Sequence, residues 1–351
     1  MKNIFLMIAA GLLLVSCGEK NEGIVPDFAA AEIVYPADSI AIEEILKPVY
    51  WNRVGKDKIV LFSEGTDTVA YTYTFPDFKF LHNWGVVGEG PEDFQGTAYG
   101  IGLSGADDTL RVPVRNKMRK YVMGDSTTVC VDIKSYDIRY IDEMSRGPIR
   151  VGEGSYYAFP SVAVDMSGKE RRQQLTIYDD VKNEAVDSVC LDVVSIVKQH
   201  SWGVQGNIYN VPTVVVTGDT LLVVYPDVHR VDAFSISTGG KLNKMYSVGD
   251  TRSYEEISAL DWDNMLMSKE IAESCVDKDD IYVFYFMGSR EAMDDYDMEN
   301  ISSYAVVYDM NGDIQRVKAF DRLLTNFICH DGKVYAFNFE EDFENVYIYT
   351  L

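Results

Sequence analysis

Hydrophobic residues lie along the chain in short runs that are separated by Gly, Asn, Asp and Ser. Some runs are continuous, such as residues 221–225 and 281–286, and a short continuous run is typical of a strand buried on both faces. The run that follows alternates between apolar and polar residues, which indicates a strand with one buried face. Segments such as STGGKL and DMNGDI supply hairpin turns, because Gly and Asn-Gly adopt the positive φ that tight turns need. The pattern predicts an all-β protein.

The strands recur as a repeated unit that consists of a polar turn, a buried strand, an alternating strand and a third strand. The spacing of roughly 45 to 65 residues is typical of propeller or solenoid repeats. The units begin at GKDKIVLFS, GADDTLRVPV, GEGSYYAFP, TGDTLLVVYP, DKDDIYVFYF and HDGKVYAFNF. We interpret the buried strand that opens each unit as the innermost strand of a blade. The chain therefore predicts a six-bladed β-propeller over residues 28–351.

The last repeat is short of strands, and the chain offers replacements at its other end. FAAAEIVYP and IAIEEILKPVYW precede the first unit. We expect these N-terminal strands to complete the last blade, because closing the ring from both chain ends removes a free sheet edge. A helical insertion is expected between the fourth and fifth units, where Ser253 and Glu256 form a capping-box pattern ahead of ISALDWDNMLMSKEIAES.

The N-terminal segment MKNIFLMIAAGLLLVSC has the layout of a secretory signal, with Lys2 followed by an apolar run too short to span a bilayer. Its end, Leu14 to Cys17, resembles the lipobox of bacterial lipoproteins. That resemblance implies cleavage after residue 16 and attachment of a lipid to Cys17. We expect a signal peptide over residues 1–16, a lipidated cysteine and polar tether over residues 17–27, and an outer-membrane lipoprotein facing the periplasm or the cell surface.

The acidic balance of the chain limits its partners. The formal net charge is −23, and removing residues 1–16 takes away only Lys2, which leaves −24. Such a chain cannot gain from neutralising phosphates, so nucleic acid is excluded as a partner. Anionic headgroups also repel it, so we expect membrane association through the lipid anchor alone.

Four cysteines remain besides Cys17, and they lie far apart in or beside apolar runs: Cys130, Cys190, Cys275 and Cys329. An even number in an exported protein permits two disulfides, and buried free thiols are an equal alternative. No CxxC pair occurs in the sequence, so neither a zinc site nor a thioredoxin-type site is indicated.

The stretch GVVGEGPEDFQG, residues 85–96, invites comparison with phosphate-binding loops. It contains no Lys or Arg, and Asp93 stands where the dinucleotide fingerprint needs glycine. Glu92 and Asp93 would repel a phosphate. Because the stretch joins the third strand of the first unit to the second unit, we predict a crossover between blades, in which glycines permit tight turns.

The same stretch carries a family resemblance. VVGEGPEDF is similar to the GxGPxEF signature between blades of six-bladed propellers related to NHL and TolB-like repeats, and DDTLRVPVRNKMRKYVM resembles their blade pattern. Together with the lipobox, the chain resembles the TolB-like propeller lipoproteins of Bacteroides-type bacteria. The resemblance implies the fold and an envelope location, and it brings no established reaction and no catalytic residues.

Signatures of catalysis are absent from the sequence. It contains no HExxH pair and no Gly-x-Ser-x-Gly elbow, and its four histidines show no paired spacing. Six-bladed lactonases hold a Ca²⁺-type metal in the channel, so a metal-dependent hydrolase or lactonase remains the alternative to a binding module. The local acidic run closest to a Ca²⁺ site is Asp294, Asp295, Asp297 and Glu299, although a solvated loop is the simpler interpretation. DMNGD, at 309–313, is predicted to be a hairpin turn.

We therefore expect a non-catalytic binding or scaffolding module for an envelope protein, a peptide or a glycan, with no cofactor. A ligand pocket would lie at the mouth of the channel. The candidate ligand-binding residues belong to types that dominate binding hot spots or lie beside the buried strands: Arg111, Arg115, Asn116, His200, Trp202, His229 and Arg230. They come from opposite ends of the strands, so they cannot all share one site.

Overall fold

The structure of the protein, a computed structural model, describes residues 26–42, 49–63, 68–88, 90, 93–94, 102–104, 108–114, 117–135, 149–151, 155–164, 171–200, 203–225, 227–250, 252–262, 270–288, 297–338 and 342–351. The described residues form an all-β, six-bladed propeller, as the repeat predicts. In the part of the chain that the structure describes, no helix is long and apolar enough to cross a membrane.

Two N-terminal strands come first in the chain, β1 (Glu32–Val34) and β2 (Asp38–Ala41). Each of the next three sheets uses four successive strands, from the innermost to the outermost. Blades one to three hold β3 (Val49–Val54), β4 (Lys58–Ser63), β5 (Thr68–Thr74), β6 (Phe80–Val86), β7 (Gly102–Ser104), β8 (Thr109–Val114), β9 (Lys117–Met123), β10 (Thr128–Ser135), β11 (Ile149–Val151), β12 (Tyr156–Val164), β13 (Arg171–Asp179) and β14 (Glu184–Cys190).

The second half of the chain continues the same order after an inserted hairpin. The hairpin consists of β15 (Val194–His200) and β16 (Gly203–Tyr209), and the sequence pattern did not predict it. Blades four to six then hold β17 (Thr213–Thr217), β18 (Thr220–Tyr225), β19 (Arg230–Ile236), β20 (Leu242–Gly249), β21 (Glu270–Asp277), β22 (Asp280–Met287), β23 (Ser302–Asp309), β24 (Ile314–Phe320), β25 (Asn326–His330), β26 (Lys333–Asn338) and β27 (Asp342–Tyr349).

The innermost strands contact each other in a closed ring that runs β3, β7, β11, β17, β21, β25 and back to β3. The interpretation of the buried strand as innermost is therefore wrong, since β4, β18 and β22 each hold the second position in their sheets. Their continuous apolar runs have a different cause. In β4, Ile59 and Leu61 pack towards blade six, while Val60 and Phe62 pack towards blade two. A second strand is therefore covered on both faces by neighbouring blades.

One of the two N-terminal strands completes the last blade, as the short sixth unit predicts, whereas the expectation that both do so is wrong. β2 pairs antiparallel with β27 and supplies the outermost strand of blade six, with Ile40 opposite Val346. β1 pairs parallel with β24 and adds a fifth strand to blade five. Phe28 packs edge-on between the rings of Tyr285 and Tyr304, 5.4 Å from each centroid. The N-terminal segment therefore holds blades five and six together.

The predicted helical insertion is present only in part, as the five-residue α1 (Tyr254–Ser258), whereas the end of the segment expected to be helical, residues 270–274, belongs to β21 because it pairs with β22. Ser253 Oγ accepts from the backbone N–H of Glu256, and the Glu256 carboxylate accepts from the N–H of Ser253, so the capping box forms in full. The buried Ile257 and Trp262 join the core between blades three and four, where Trp262 stacks on Tyr209 of the inserted hairpin. The helix thus covers an end of that core.

One disulfide is present among the described residues. Cys275 of β21 is bonded to Cys329 of β25, so it links the innermost strands of blades five and six. Cys130 is half-buried and Cys190 is exposed, and neither forms a disulfide. The sequence left open two disulfides or buried free thiols; one disulfide forms, and the expectation that the remaining cysteines are buried is wrong.

The predicted crossover and hairpin are both confirmed. Gly85 adopts φ +78° where the ring of Phe94 packs against it, and Arg119 of blade two donates to the carbonyl of Asp93. The described part of the stretch thus joins blade one to blade two. At 309–313, Gly312 N–H donates to the carbonyl of Asp309, and Asp309 Oδ1 accepts from the N–H groups of Asn311 and Asp313.

Candidate functional site

The two faces of the propeller carry different connections. Successive strands in a blade run antiparallel, so the hairpins between first and second strands and between third and fourth strands share one face, which we call the lower face. The hairpins between second and third strands, and the linkers between blades, share the upper face. This division decides which of the predicted site residues can meet.

Several of the predicted residues lie outside the described residues, namely Cys17, Arg115, Asn116 and Trp202, together with Asp294 and Asp295. His200 is the last residue of β15, where its backbone pairs with Gly203 in the inserted hairpin. Asp297 and Glu299 are exposed, and Asp297 Oδ2 accepts from Asn300 Nδ2 at 2.7 Å. Within the described ranges, no group of three or more His, Cys, Asp or Glu side chains could hold a metal ion.

Arg111 is buried between blades two and three, towards the lower face. Its guanidinium carbon lies 4.3 Å above the centre of the Tyr157 ring, and Nη2 lies 3.9 Å from Asp180 Oδ2. Lys134 of β10 also contacts Asp180 Oδ1, at 3.2 Å. Arg111 thus bridges two blades in the core, where a cation stacked on an aromatic ring stabilises the contact.

His229 lies in the hairpin that joins β18 to β19, on the upper face, and it adopts φ +50°. It is buried, with its ring 6.3 Å from that of Tyr285 in blade five. Gly249 passes so close that a Cβ there would overlap the carbonyl oxygen of His229. His229 therefore packs between blades four and five, on the opposite side of blade four from Arg230.

Arg230 begins a strand on which charged and apolar residues alternate. Arg230, Asp232 and Phe234 face blade three, whereas Val231 and Ala233 face blade five, because successive side chains of a strand point to opposite faces. The Arg230 side chain is only 4% exposed. A charge this deeply buried needs partners, since desolvation otherwise makes it unstable.

The partners of Arg230 come from two blades. Nη2 donates to Asp192 Oδ2 at 2.5 Å, across to the linker that follows blade three, and Nε lies 3.4 Å from Asp232 Oδ1. The guanidinium carbon lies 4.3 Å above the Tyr225 ring. Buried Asn210 donates from Nδ2 to the carbonyl of Asp192 at 2.7 Å, which fixes the linker. The network holds the loop after blade three against blade four.

The network continues outwards from Asp232. Ser247 Oγ donates to Asp232 Oδ1 at 2.7 Å, and Lys244 Nζ lies 3.3 Å from Asp232 Oδ2. Lys244 is about half-exposed, so the chain of charges runs from the buried Arg230 to the surface. The carboxylate of Asp232, only 7% exposed, is thereby satisfied on both oxygens.

The charge states of Arg230 and Tyr225 follow from their surroundings. Burial alone lowers the pKa of Arg230, but the negative charges of Asp232 and Asp192 outweigh it and raise that pKa above its ordinary value. Burial also raises the pKa of the Tyr225 hydroxyl above its ordinary value of 10.0. Arg230 therefore stays charged and Tyr225 stays neutral, so the network supplies fixed charges and hydrogen-bonding groups.

A groove of about 390 Å³ lies beside the network, between the outer strands of blades three and four. We call it the interblade groove, and it is lined by residues 187–192 of blade three and its linker and by Tyr225, Asp232, Phe234, Leu242 and Lys244 of blade four. Cys190 is among the residues of its wall, but its side chain points to the opposite face of β14 from Val189, where Gln174 Nε2 donates to Sγ at 3.9 Å. The sequence placed a pocket at the channel mouth, whereas this groove lies at the outer part of the ring.

Among the predicted site residues that the structure describes, Arg230 is the one whose contacts reach the interblade groove. Sequence reasoning missed Asp192, which pairs with Arg230, and Lys244, which pairs with Asp232. Both missed residues line the interblade groove. A signal was present in the alternation of β19, because Arg230 and Asp232 lie on the same face of that strand as the core residue Phe234. Charged residues on a core-facing row indicate an ion-pair network or a site.

Comparisons with known proteins support the fold. No protein-family profile matches the chain, and no curated protein matches it. A protein of Bacteroides fragilis that is described as exported has a similar structure, with a TM-score of 0.55 and 11% identity over 91% of this chain and 97% of that chain. The structure of the RRP9 WD40 repeats has a TM-score of 0.50 and 9% identity over 92% of this chain and 99% of that chain. Both similarities show the shared β-propeller fold, and the resemblance to TolB-like and NHL-related propellers stays a prediction.

Proposed function

We propose that the protein is a lipid-anchored β-propeller of the bacterial envelope that serves as a non-catalytic binding or scaffolding module. Its partner is an envelope protein, a peptide or a glycan. The observation that carries this proposal is the interblade groove, where fixed charges and apolar side chains surround an open recess. Recesses lined in this way are typical of recognition sites.

The walls of the groove are held rigidly before any partner binds. Asp187 accepts hydrogen bonds from the backbone N–H groups of Ser188 and Leu242, at 2.9 and 2.8 Å, which joins β14 to β20. Arg230 joins the opposite end through Asp192. A preorganised site costs less ordering entropy on binding than a flexible one, which favours recognition by such a surface.

The envelope location rests on the N-terminal segment. The lipobox-like end at Cys17 supports a lipid anchor, and residues 17–25 span at most about 30 Å when extended. The first described residues then dock on blade five through Phe28, on the upper face. The exported character of the Bacteroides fragilis protein also supports this location. The anchor would keep the propeller within a short distance of the membrane.

Cross-linking from the groove tests the binding function. A photoactivatable maleimide is attached at position 244 of the full protein in membranes, in a variant that carries Cys190→Ser and Lys244→Cys, because Lys244 is half-exposed and lines the groove. The matched control carries Cys190→Ser and Asp219→Cys, which moves the label to an exposed turn on the lower face of blade four. We expect a defined adduct from the label at position 244 alone. Equal adducts from both positions, or none, would contradict a binding role for the groove.

The anchor has its own test. Cys17→Ser should abolish incorporation of labelled palmitate and release the protein from the membrane fraction, whereas Cys190→Ser should change neither. Retention of the Cys17→Ser protein in membranes would contradict lipid anchoring. Because the two tests are independent, either part of the proposal can fail alone.

A further inference from the structure

The shape of the interblade groove limits what can occupy it. Residues 187–192 line one wall, and five steps of extended chain span roughly 16 Å. This wall contributes Val189 and Leu191, which belong to the apolar core between the two blades. A groove of this size fits a short extended peptide segment rather than a folded domain.

The apolar part of the groove extends across to blade four. Phe234 and Leu242 line the groove and pack in the same core cluster as Val189 and Leu191. Leu242 and Val189 are only partly buried, so apolar surface is available to an incoming side chain. The same groove is also lined by carboxylates, which suits a segment with apolar and charged side chains.

The charges of the groove favour a cation. Its lining holds three carboxylates, Asp187, Asp192 and Asp232, and one ammonium group, Lys244. Lys244 is already paired with Asp232, and Asp187 accepts two backbone N–H groups. Asp192 accepts from Arg230 through Oδ2, and its side chain is 30% exposed. An ionised carboxylate has about four acceptor positions, so Asp192 retains capacity for a cation from the groove.

We propose that the interblade groove binds an extended, basic peptide segment of a partner protein, with a lysine or arginine side chain of that segment paired to Asp192. This inference rests on the proposed binding function of the same groove. The charge of the whole chain acts in the same direction, since a formal net charge of −23 attracts basic segments and repels acidic ones. Apolar side chains of the segment pack on Val189 and Leu242.

The test uses the chain from residue 17 onwards with Cys17→Ser and two synthetic probes. The first is a fluorescein-labelled heptapeptide that reads glycine, valine, lysine, valine, lysine, valine, glycine. The second carries glutamate in place of both lysines. We expect the lysine peptide to bind, as measured by fluorescence anisotropy, and to bind more weakly at high salt. The glutamate peptide should not bind.

Three variants locate the contact. Asp192→Asn should weaken binding of the lysine peptide about fivefold, because it removes one partly exposed ion pair. Lys244→Gln should strengthen binding severalfold, since it removes the competing cation beside Asp232. Asp219→Asn, on an exposed turn outside the groove, should leave the affinity unchanged. The opposite signs at 192 and 244 cannot arise from general loss of folding, and melting curves of each variant confirm the fold.

The outcomes separate the inference from the proposed function. Equal binding of both peptides, an unchanged affinity of Asp192→Asn, or no binding of the lysine peptide overturns the basic-peptide assignment. If the membrane adduct from the label at position 244 persists under those results, the groove binds a partner of other chemistry and the proposed function stands. If the adduct is also absent, both fail.

Discussion

The hydroxyl of Tyr349, in the last strand of the chain, donates a hydrogen bond of 2.7 Å to Asp321 in the linker that leaves blade five. The same carboxylate accepts from Arg322 Nη2 at 2.7 Å, and the backbone N–H of Asp321 donates to the carbonyl of Val34 at 3.1 Å. Asp321 thus contacts the N-terminal strand β1 and the C-terminal strand β27. It lies where the two ends of the chain close the ring.

This contact makes stability depend on pH. Burial alone raises the pKa of Asp321, but the hydrogen bonds from Arg322 and Tyr349 outweigh it and lower that pKa below 3.8. A carboxylate with a lowered folded-state pKa stabilises the fold above its unfolded pKa, near 3.9, and this contribution is lost as the pH falls through the folded value. We expect Asp321→Asn to lower the free energy of unfolding by about 1–2 kcal/mol at pH 7 and by less at pH 3.

Urea titrations at both pH values measure the difference. Asp313→Asn is the matched control, because Asp313 is exposed in the hairpin turn of blade five. It should change the free energy of unfolding little at either pH. An equal loss for Asp321→Asn at pH 7 and pH 3 would show that the ionised carboxylate is not the stabilising form.

The disulfide between Cys275 and Cys329 should stabilise the closure of the ring. It joins residues 54 apart in sequence on neighbouring innermost strands. For a loop of that length, the chain-entropy relation gives about 4 kcal/mol, and measured values are commonly about 2–4 kcal/mol. We expect a reductant to lower the melting temperature of the wild type. The double variant Cys275→Ser and Cys329→Ser should have a lower melting temperature that does not change with the reductant. The double variant Cys130→Ser and Cys190→Ser should respond to the reductant like the wild type.

Removal of the N-terminal strands should open the ring. A chain that begins at residue 43 loses β1 and β2, which leaves β27 as an unpaired edge and removes Phe28 from blade five. We expect this chain to unfold at lower denaturant concentration and to associate through the exposed edge. A chain that begins at residue 26 keeps both strands and should match the mature protein. Light scattering and urea titration compare the two, and identical behaviour would refute the closure.

Substitution of two glycines with positive φ can distinguish the energetic cost of steric overlap from that of backbone strain. Gly249 has φ +81°, and a Cβ there would overlap the carbonyl of His229, whereas Gly218 has φ +56° with no heavy atom within 4 Å of such a Cβ. We expect Gly218→Ala to cost about 1 kcal/mol, the strain of the left-handed region alone. Gly249→Ala should cost about 3 kcal/mol or more, because the hairpin of His229 must shift. Similar losses in the free energy of unfolding for both variants in urea titrations would argue against the close approach of Gly249 to the carbonyl of His229.

Metal removal should leave the fold unchanged. The buried or half-buried carboxylates Asp179, Asp232 and Asp309 already accept hydrogen bonds or ion pairs from the protein, so they have satisfied partners without a cation. We expect the same melting curve with and without a chelator. A stoichiometric divalent ion whose removal lowers the melting temperature would instead favour the channel hydrolase or lactonase.

The sequence predicted the blade count, because each second strand needs apolar residues on both faces. It also predicted α1, since the capping box between Ser253 and Glu256 is a local signal read over four residues. The sequence pattern did not identify the innermost strands of the blades. β7 and β11 are three residues long, and their short sequences GLS and IRV carry no continuous apolar run. The longer second strands were therefore mistaken for them.

By itself, the sequence determined the features that depend on neighbours along the chain: the repeat, the turns, the helix cap and the expectation of closure by N-terminal strands. Only the tertiary structure decided which distant side chains meet. Asp192 lies on the linker that follows blade three, and Arg230 and Lys244 lie on two strands of blade four, so their partnership depends on how blade three packs against blade four. The pairing of Cys275 with Cys329 likewise depends on two innermost strands being adjacent in the ring. Such contacts leave no local pattern, because residues far apart in sequence are brought together by packing of the blades.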